Sequence, residues 1–309
     1  MKKVVVTGAT GMIGISLINL LISKGIHVLA IVRPNSPRRN ILPVSDLINV
    51  LEWDLHKLPE MLLEDKDQKY DCFFHLGWSG TFGDGRNNMY LQNANIKMTI
   101  DAVYLAEKLG CSVFVGAGSQ AEYGVKNEEK LNANLSVDPE NGYGIAKYCA
   151  GKMSRVLCNQ LDIRHVWVRI LSIYGPCDGV NTMIMSSISK MLQGNKMQYT
   201  KAEQMWDYLY VDDAALGLYL SAQKGKNNSV YVLGSGVAKP LSEYINAIRN
   251  NINPNIEINF GDIPYSVNQV MYLCGDISDL TKDTEFLPRI SFEEGIRKTI
   301  DWYKGGELH

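Results

Sequence analysis

The chain has 309 residues, 46% of them apolar and 21% charged, with a net charge of −2. That describes a globular protein long enough for about two domains, and the near-neutral charge gives no support for nucleic acid or an anionic membrane as partner. No uninterrupted apolar run approaches the roughly 18 residues of a membrane span. The Lys2-Lys3-Val4-Val5-Val6 start imitates a signal peptide, but Gly8, Gly11 and Gly14 break any apolar core there.

The first element is an apolar strand near 3–7. Thr7-Gly8-Ala9-Thr10-Gly11-Met12-Ile13-Gly14 follows it and opens a helical pattern near 12–24. Strand, glycine turn and helix in that order expose unpaired N–H groups and a positive dipole end to a pyrophosphate. The expected ligand is a dinucleotide, held by Gly8, Thr10, Gly11, Met12, Ile13 and Gly14. A second strand near 26–32 ends in Arg33, with no acid to meet an adenine ribose. Arg33, with Arg38 and Arg39 nearby, can pair a 2′-phosphate, which favours NADP(H) with NAD as the alternative; the other reading is a solvated basic loop. Asp54 ends a strand near 48–53 and is either an adenine contact or a helix cap.

Strands follow near 71–76, 111–117 and 165–171, with helices near 89–109 and 141–161. This alternation predicts an α/β fold, a doubly wound parallel sheet covered on both faces. After about residue 172 shorter elements take over, ending in an amphipathic helix near 291–303. The expected division is a dinucleotide-binding domain over 1–172 and a smaller substrate-binding region over 173–309, folded onto the open end of the sheet, with the chain free to cross back. The six cysteines (72, 111, 149, 158, 177 and 274) are scattered and read as reduced thiols of a cytoplasmic protein. The histidines (27, 56, 75, 165 and 309) show no metal-ligand spacing, so no metal is expected.

Tyr143 and Lys147 stand four apart on a helical stretch and share one face. A lysine ammonium favours the phenolate of a neighbouring tyrosine, whose free pKa of about 10 is too high for a base at neutral pH. Tyr104/Lys108 and Tyr148/Lys152 have the same spacing. Context selects Tyr143: Ser119 ends a central strand, where a hydroxyl can bind a substrate oxygen while Tyr143 exchanges its proton. Tyr104 and Tyr148 read as packing residues.

With these residues in place, the chain resembles the extended short-chain dehydrogenases/reductases of the NAD-dependent epimerase/dehydratase group, which act on nucleotide sugars. The resemblance rests on Thr7 to Gly14, Asp54-Leu55, His75-Leu76-Gly77-Trp78, Asn95, the set Ser119, Tyr143 and Lys147, Arg169 to Pro176, and Asp207 to Asp213. It implies that Leu55, Leu76, Gly77, Trp78, Asn95 and Lys147 also serve the cofactor. It implies substrate contacts at Ser79, Ser119, Tyr143, Ser172 and Asn181.

The chain departs from the family where dehydratases carry Thr-Asp-Glu; here the residues are Ser119-Gln120-Ala121. Trp206 and Ser266 stand where arginines usually grip the substrate diphosphate. The Gly118-Ser119-x-x-Glu122-Tyr123-Gly124 wording is similar to that of nucleotide 4-keto-6-deoxysugar reductases. The resulting expectation is an NADPH-dependent reductase of such a sugar. The alternatives are a 4-epimerase with tightly bound NAD and a non-catalytic cofactor sensor on the same fold. The resemblance further implies a homodimer through the helices near 89–109 and 141–161, where Ile96, Ile100, Val103, Tyr104, Tyr148, Met153, Val156 and Leu157 lie at helical spacing.

Overall fold

The computed structural model describes residues 1–61, 69–126, 129–266 and 269–306. The N-terminal half alternates as the apolar runs predict: β1 (Lys3–Thr7), α1 (Met12–Ser23), β2 (His27–Val32), β3 (Ile48–Glu52), β4 (Cys72–His75), α2 (Met89–Lys108), β5 (Val113–Ser119), α3 (Gly142–Gln160) and β6 (Arg164–Ile170). Next come β7 (Ser172–Tyr174), α4 (Met183–Leu192), β8 (Met197–Tyr199), β9 (Met205–Trp206), β10 (Tyr208–Tyr210), α5 (Val211–Lys224) and β11 (Ser229–Leu233). The chain ends with β12 (Lys239–Pro240), α6 (Leu241–Ile252), β13 (Ile258–Phe260), β14 (Tyr272–Leu273), α7 (Ser278–Thr284) and α8 (Phe292–Lys304).

Seven parallel strands form the main sheet in the order β3-β2-β1-β4-β5-β6-β11. Both faces are buried, and the alternation of side chains sorts residues between them. Val4 and Val6 enter the core cluster that includes α1 and α5, whereas Val5 joins Phe73 and Phe114 under α2. The fold is therefore a Rossmann-like sheet with a smaller α/β region at its C-terminal side. β11 pairs with β6, so the chain returns to the sheet after residue 173 and a cut at 172 leaves one sheet strand in the C-terminal part.

The C-terminal region has short strands only, paired as β7 with β10, β8 with β13, and β9 between β12 and β14. Its core packs Ile184 and Ile188 of α4 against Ile245 and Ile248 of α6 and Ile296 of α8. The order of the main sheet reverses between β1 and β4, so their helices depart to opposite faces and leave a crevice beyond the carboxyl ends of the strands. The glycine turn after β1, the segment after β4, the end of β5 and the start of α3 all reach that end.

Candidate active site

The first wall of the crevice is the turn after β1. Gly8 has a φ of 68°, and a Cβ there would lie 2.7 Å from the Gly77 backbone nitrogen in the segment after β4. Only glycine lets these two turns approach so closely. Helix α1 then starts at Gly11 without a side-chain cap and with no acid in its first turn. Its leading N–H groups are free for an anion, the arrangement a dinucleotide pyrophosphate needs.

Gly8, Gly11, Met12, Ile13 and Gly14 line a cleft of about 550 Å³. Leu76 and Trp78, following β4, line it as well, as do Ser119, Tyr143, Lys147 and Ser172. Residues distant in sequence thus meet at one cavity. Thr10 instead faces the Ser36 hydroxyl at 3.5 Å. Gly77 donates its N–H to Thr7 Oγ1 at 3.2 Å and supports the turn from behind. Leu55 packs over Gly77.

Several expectations need correction. Arg39 is paired with Glu52, and Arg38 Nη2 donates to the Cys177 carbonyl at 2.6 Å. Of the three arginines expected at a 2′-phosphate, Arg33 alone stays exposed and uncommitted among the described residues. Asp54 takes the capping role, one of the two its position offered, with Oδ1 accepting from His56 N at 3.0 Å. Asn95 is fully buried and does not line the cleft. Its amide accepts from Ser79 N at 3.1 Å and donates to Ser79 O at 2.8 Å, so it fixes the loop that carries Trp78. Ser79 is held through its backbone and does not line the cleft. Asn181 is exposed; its neighbours Asp178 and Thr182 line the cleft instead.

Ser119 is the last residue of β5 and caps the 3-10 turn Gln120–Tyr123. Its Oγ accepts from Ala121 N at 3.2 Å, while Glu122 Oε1 accepts from Ser119 N at 2.9 Å. This capping box fixes the Ser119 backbone. Helix α3 is capped by Asn141, which accepts from Gly144 N at 2.9 Å. A Cβ at Gly144 would lie 2.3 Å from the Ala121 carbonyl oxygen. The missing Cβ therefore brings the start of α3 against the 3-10 turn, which sets Tyr143 beside Ser119.

Lys147 is 4% exposed, and its Nζ donates to the Ala117 carbonyl at 2.7 Å. Burial lowers its pKa to about 7, against an opposing pull from Glu122. Tyr143 differs from expectation, since burial holds its hydroxyl above the ordinary value although Ser119 and Arg86 pull it down. A desolvated phenol beside a lysine that titrates near neutrality stays protonated when nothing else is bound. Among the competing pairs, Tyr104 is 52% exposed on the outer face of α2, and Lys108 bonds to the Met61 carbonyl. Lys152 lies over the Tyr148 ring, outside the cleft.

Sequence reading missed Arg86, whose guanidinium sits 4.6 Å from the Tyr143 ring centroid. It also missed the role of Glu122, which is 1% exposed. Glu122 accepts from Trp167 Nε1 at 2.9 Å and pairs with Arg169 Nε at 2.8 Å. The Ser119-x-x-Glu122 spacing was the available signal for the cap; nothing local announces Arg86. Trp206 lines the cleft and donates through Nε1 to Ser172 Oγ at 2.9 Å. Ser266 is exposed, with its hydroxyl near Gln269. Asp207 is a staple: it is fully buried and accepts from Ser235, Gly236 and Gly275 N–H groups.

Asp178 receives Gly179 N at 2.7 Å and the Thr182 hydroxyl at 2.9 Å, and burial raises its pKa to about 6. His75 is neutral, held down to about 3 by burial and between the Thr7 and Thr99 hydroxyls. Among the described residues no group of three His, Cys, Asp or Glu side chains can hold a metal ion, and no helix is long and apolar enough to cross a membrane. His309 lies outside the described residues. The six cysteines form no disulfide; five are buried and Cys149 is half-buried.

With this geometry in view, residues 4–234 match the model of the NAD dependent epimerase/dehydratase family, and the chain belongs to that family. It is similar to CDP-abequose synthase of Salmonella typhimurium, 25% identical over 97% of each chain. Its fold matches that of a UDP-glucose 4-epimerase from Thermotoga maritima solved with UDP-glucose, with a TM-score of 0.88 at 19% identity over 98% of this chain and 99% of the other. It also matches a UDP-glucuronic acid 4-epimerase from Bacillus cereus solved with NAD, with a TM-score of 0.83 at 20% identity over 98% and 99%.

Proposed function

We propose that the protein is a nucleotide-sugar 4-epimerase that retains NAD and acts in the cytoplasm. The observation that carries the choice is the Arg38–Cys177 bond. It ties the loop after β2 to the loop after β7, and both residues line the cleft that holds the glycine turn. Walls tied together favour a cofactor that stays through many turnovers. The likeness to two solved 4-epimerases, one of them with NAD, supports the same reading. It replaces the NADPH-dependent reductase as the leading expectation.

The glycine turn and the start of α1 would hold the pyrophosphate. Arg33 would meet the adenine ribose, and Asp54 keeps Oδ2 for the adenine amino group. NAD held there would supply a hydride acceptor and donor for one carbon of the sugar. Tyr143 takes the proton of the sugar hydroxyl as the carbonyl forms, then gives it back when the carbonyl is reduced. Lys147 stabilises the phenolate from which the first of those steps starts and to which the second returns. Ser119 donates to the carbonyl oxygen while the sugar presents its other face. Gln120 is an amide and Ala121 a methyl, so neither supplies the acid or base that loss of water needs.

Assembly is part of the proposal. Tyr104 of α2 and Ile145, Met153 and Val156 of α3 are each 45–55% exposed, an outward apolar stripe on two adjacent helices. Val103 is fully buried and faces the sheet. We infer a homodimer in which these helices pair with their copies.

The second reading, an NADPH-dependent 4-ketoreductase of a deoxysugar nucleotide, is favoured by one feature. β2 is followed by Arg33, exposed and uncommitted among the described residues, where an NAD-selecting acid would stand. Denaturing the purified protein and identifying the released nucleotide separates the two. Stoichiometric NAD supports the epimerase; an empty site that NADPH fills supports the reductase.

A further inference from the structure

Lys147 sits where little water reaches it, and among the described residues its Nζ has one hydrogen-bond acceptor, the Ala117 carbonyl. An ammonium carries three N–H donors. Burial with only one of them satisfied is costly unless another group faces the charge. That group is the Trp78 indole, with Nζ 3.8 Å from the ring centroid. A cation over an indole face is attracted by the ring quadrupole, more strongly where water is excluded.

The ring is not free to turn away. Trp78 Nε1 donates to Gln92 Oε1 at 3.0 Å. Gln92 is itself fixed by donating to the Gly80 and Gly85 carbonyls at 2.9 and 2.8 Å. The indole also meets the Tyr143 ring edge-on, with centroids 6.2 Å apart and planes at 90°. One buried amide therefore fixes an indole that touches both members of the tyrosine–lysine pair.

We propose that Trp78 is a positioning residue for proton transfer, its indole face, locked by Gln92, holding the Lys147 side chain charged and beside Tyr143. The proposal rests on the reading of Tyr143 and Lys147 as the proton-transfer pair. The titratable groups facing Lys147 are few. Glu122, on the turn after β5, favours the ammonium. His75 on β4 is neutral. Tyr143, on the same helix, is a phenol with Arg86 over its ring. Burial outweighs Glu122 and leaves Lys147 titrating at about 7. Near neutrality even a modest contribution from the indole changes how much of the lysine is charged. With Ala117 and the indole engaged, one N–H remains for a ligand in the cleft.

The test uses the full chain labelled with ¹³C at lysine Cε, with no substrate, and Lys147→Met to assign the resonance. The indole should displace the Lys147 methylene protons upfield by its ring current. In Trp78→Leu that displacement should vanish and the titration midpoint should fall by roughly one pH unit, with Trp78→Phe in between. A deprotonated Lys147 cannot stabilise the phenolate, so activity falls as pH rises through its midpoint. Trp78→Leu should move that alkaline limb to lower pH by the same amount. An undisplaced resonance in the wild type overturns the proposal even if Trp78→Leu does not fold, and so does an unchanged midpoint in a folded Trp78→Leu. If the resonance is displaced and shifts as stated but no nucleotide sugar is turned over, the functional reading fails and the Trp78–Lys147 coupling stands.

Discussion

Glu122→Gln tests how the site is held together. The carboxylate is buried and accepts from the Ser119 N–H, the Trp167 indole and Arg169 Nε. A glutamine that keeps its oxygen at the Oε1 position preserves the first two bonds. Its amide nitrogen then meets the Arg169 Nε–H, donor against donor. Arg169 is 4% exposed, and its Nη1 already lacks a hydrogen-bond partner, so its charge would be left buried and unpaired. Breaking one side of a buried ion pair costs about 3–5 kcal/mol. The expected result is a loss of that size in urea unfolding, read as a lower midpoint at unchanged slope and fixed protein concentration. Adding Arg169→Met should recover part of the loss, because it removes the stranded charge. A Glu122→Gln protein as stable as the wild type, or a double variant worse than the sum of the singles, would show that the Glu122–Arg169 pair does not hold this turn in place.

Tyr143→Phe keeps the ring and removes the proton carrier, so turnover should fall by about 10²–10⁴-fold while nucleotide binding survives. Tyr104→Phe and Tyr148→Phe should leave turnover near wild type; a dead Tyr148→Phe would mean the wrong tyrosine–lysine pair. Arg33→Asp should strengthen selection for NAD over NADP(H), because the carboxylate repels a 2′-phosphate; unchanged relative affinities by calorimetry would remove Arg33 from the cofactor site. Light scattering should give the mass of a dimer, and Val156→Lys, in the exposed stripe of α3, should shift it toward monomer. A monomeric wild type at micromolar concentration would sink the assembly.

The main sheet was legible because both its faces are buried. Runs such as Val4-Val5-Val6 and Val113-Phe114-Val115 are apolar throughout, which marks a doubly covered strand. Ser229–Leu233 has a similar pattern, but nothing local tells that it returns to pair with β6. The two- and three-residue strands of the C-terminal region are too short to carry any period. At the site, the spacing of Tyr143 and Lys147 and the position of Ser119 after a strand were enough to bring them together. Long-range contacts were not readable. Arg38 meets Cys177 across 139 positions, and Trp78 meets Lys147 from another element. Arg39 illustrates the limit of charge counting: the sequence shows a cation near the expected phosphate, and the fold gives it to Glu52 on β3.

The most direct measurement follows a UDP-, CDP- or dTDP-linked hexose by proton NMR in the presence of the purified protein with no added cofactor. A 4-epimerase that retains NAD gives inversion at C4, seen as the change in ring coupling constants, at unchanged mass and with no net oxidation or reduction. Loss of water from the hexose, or activity that appears only when NADPH is added and is consumed in step with a 4-keto sugar, would contradict it.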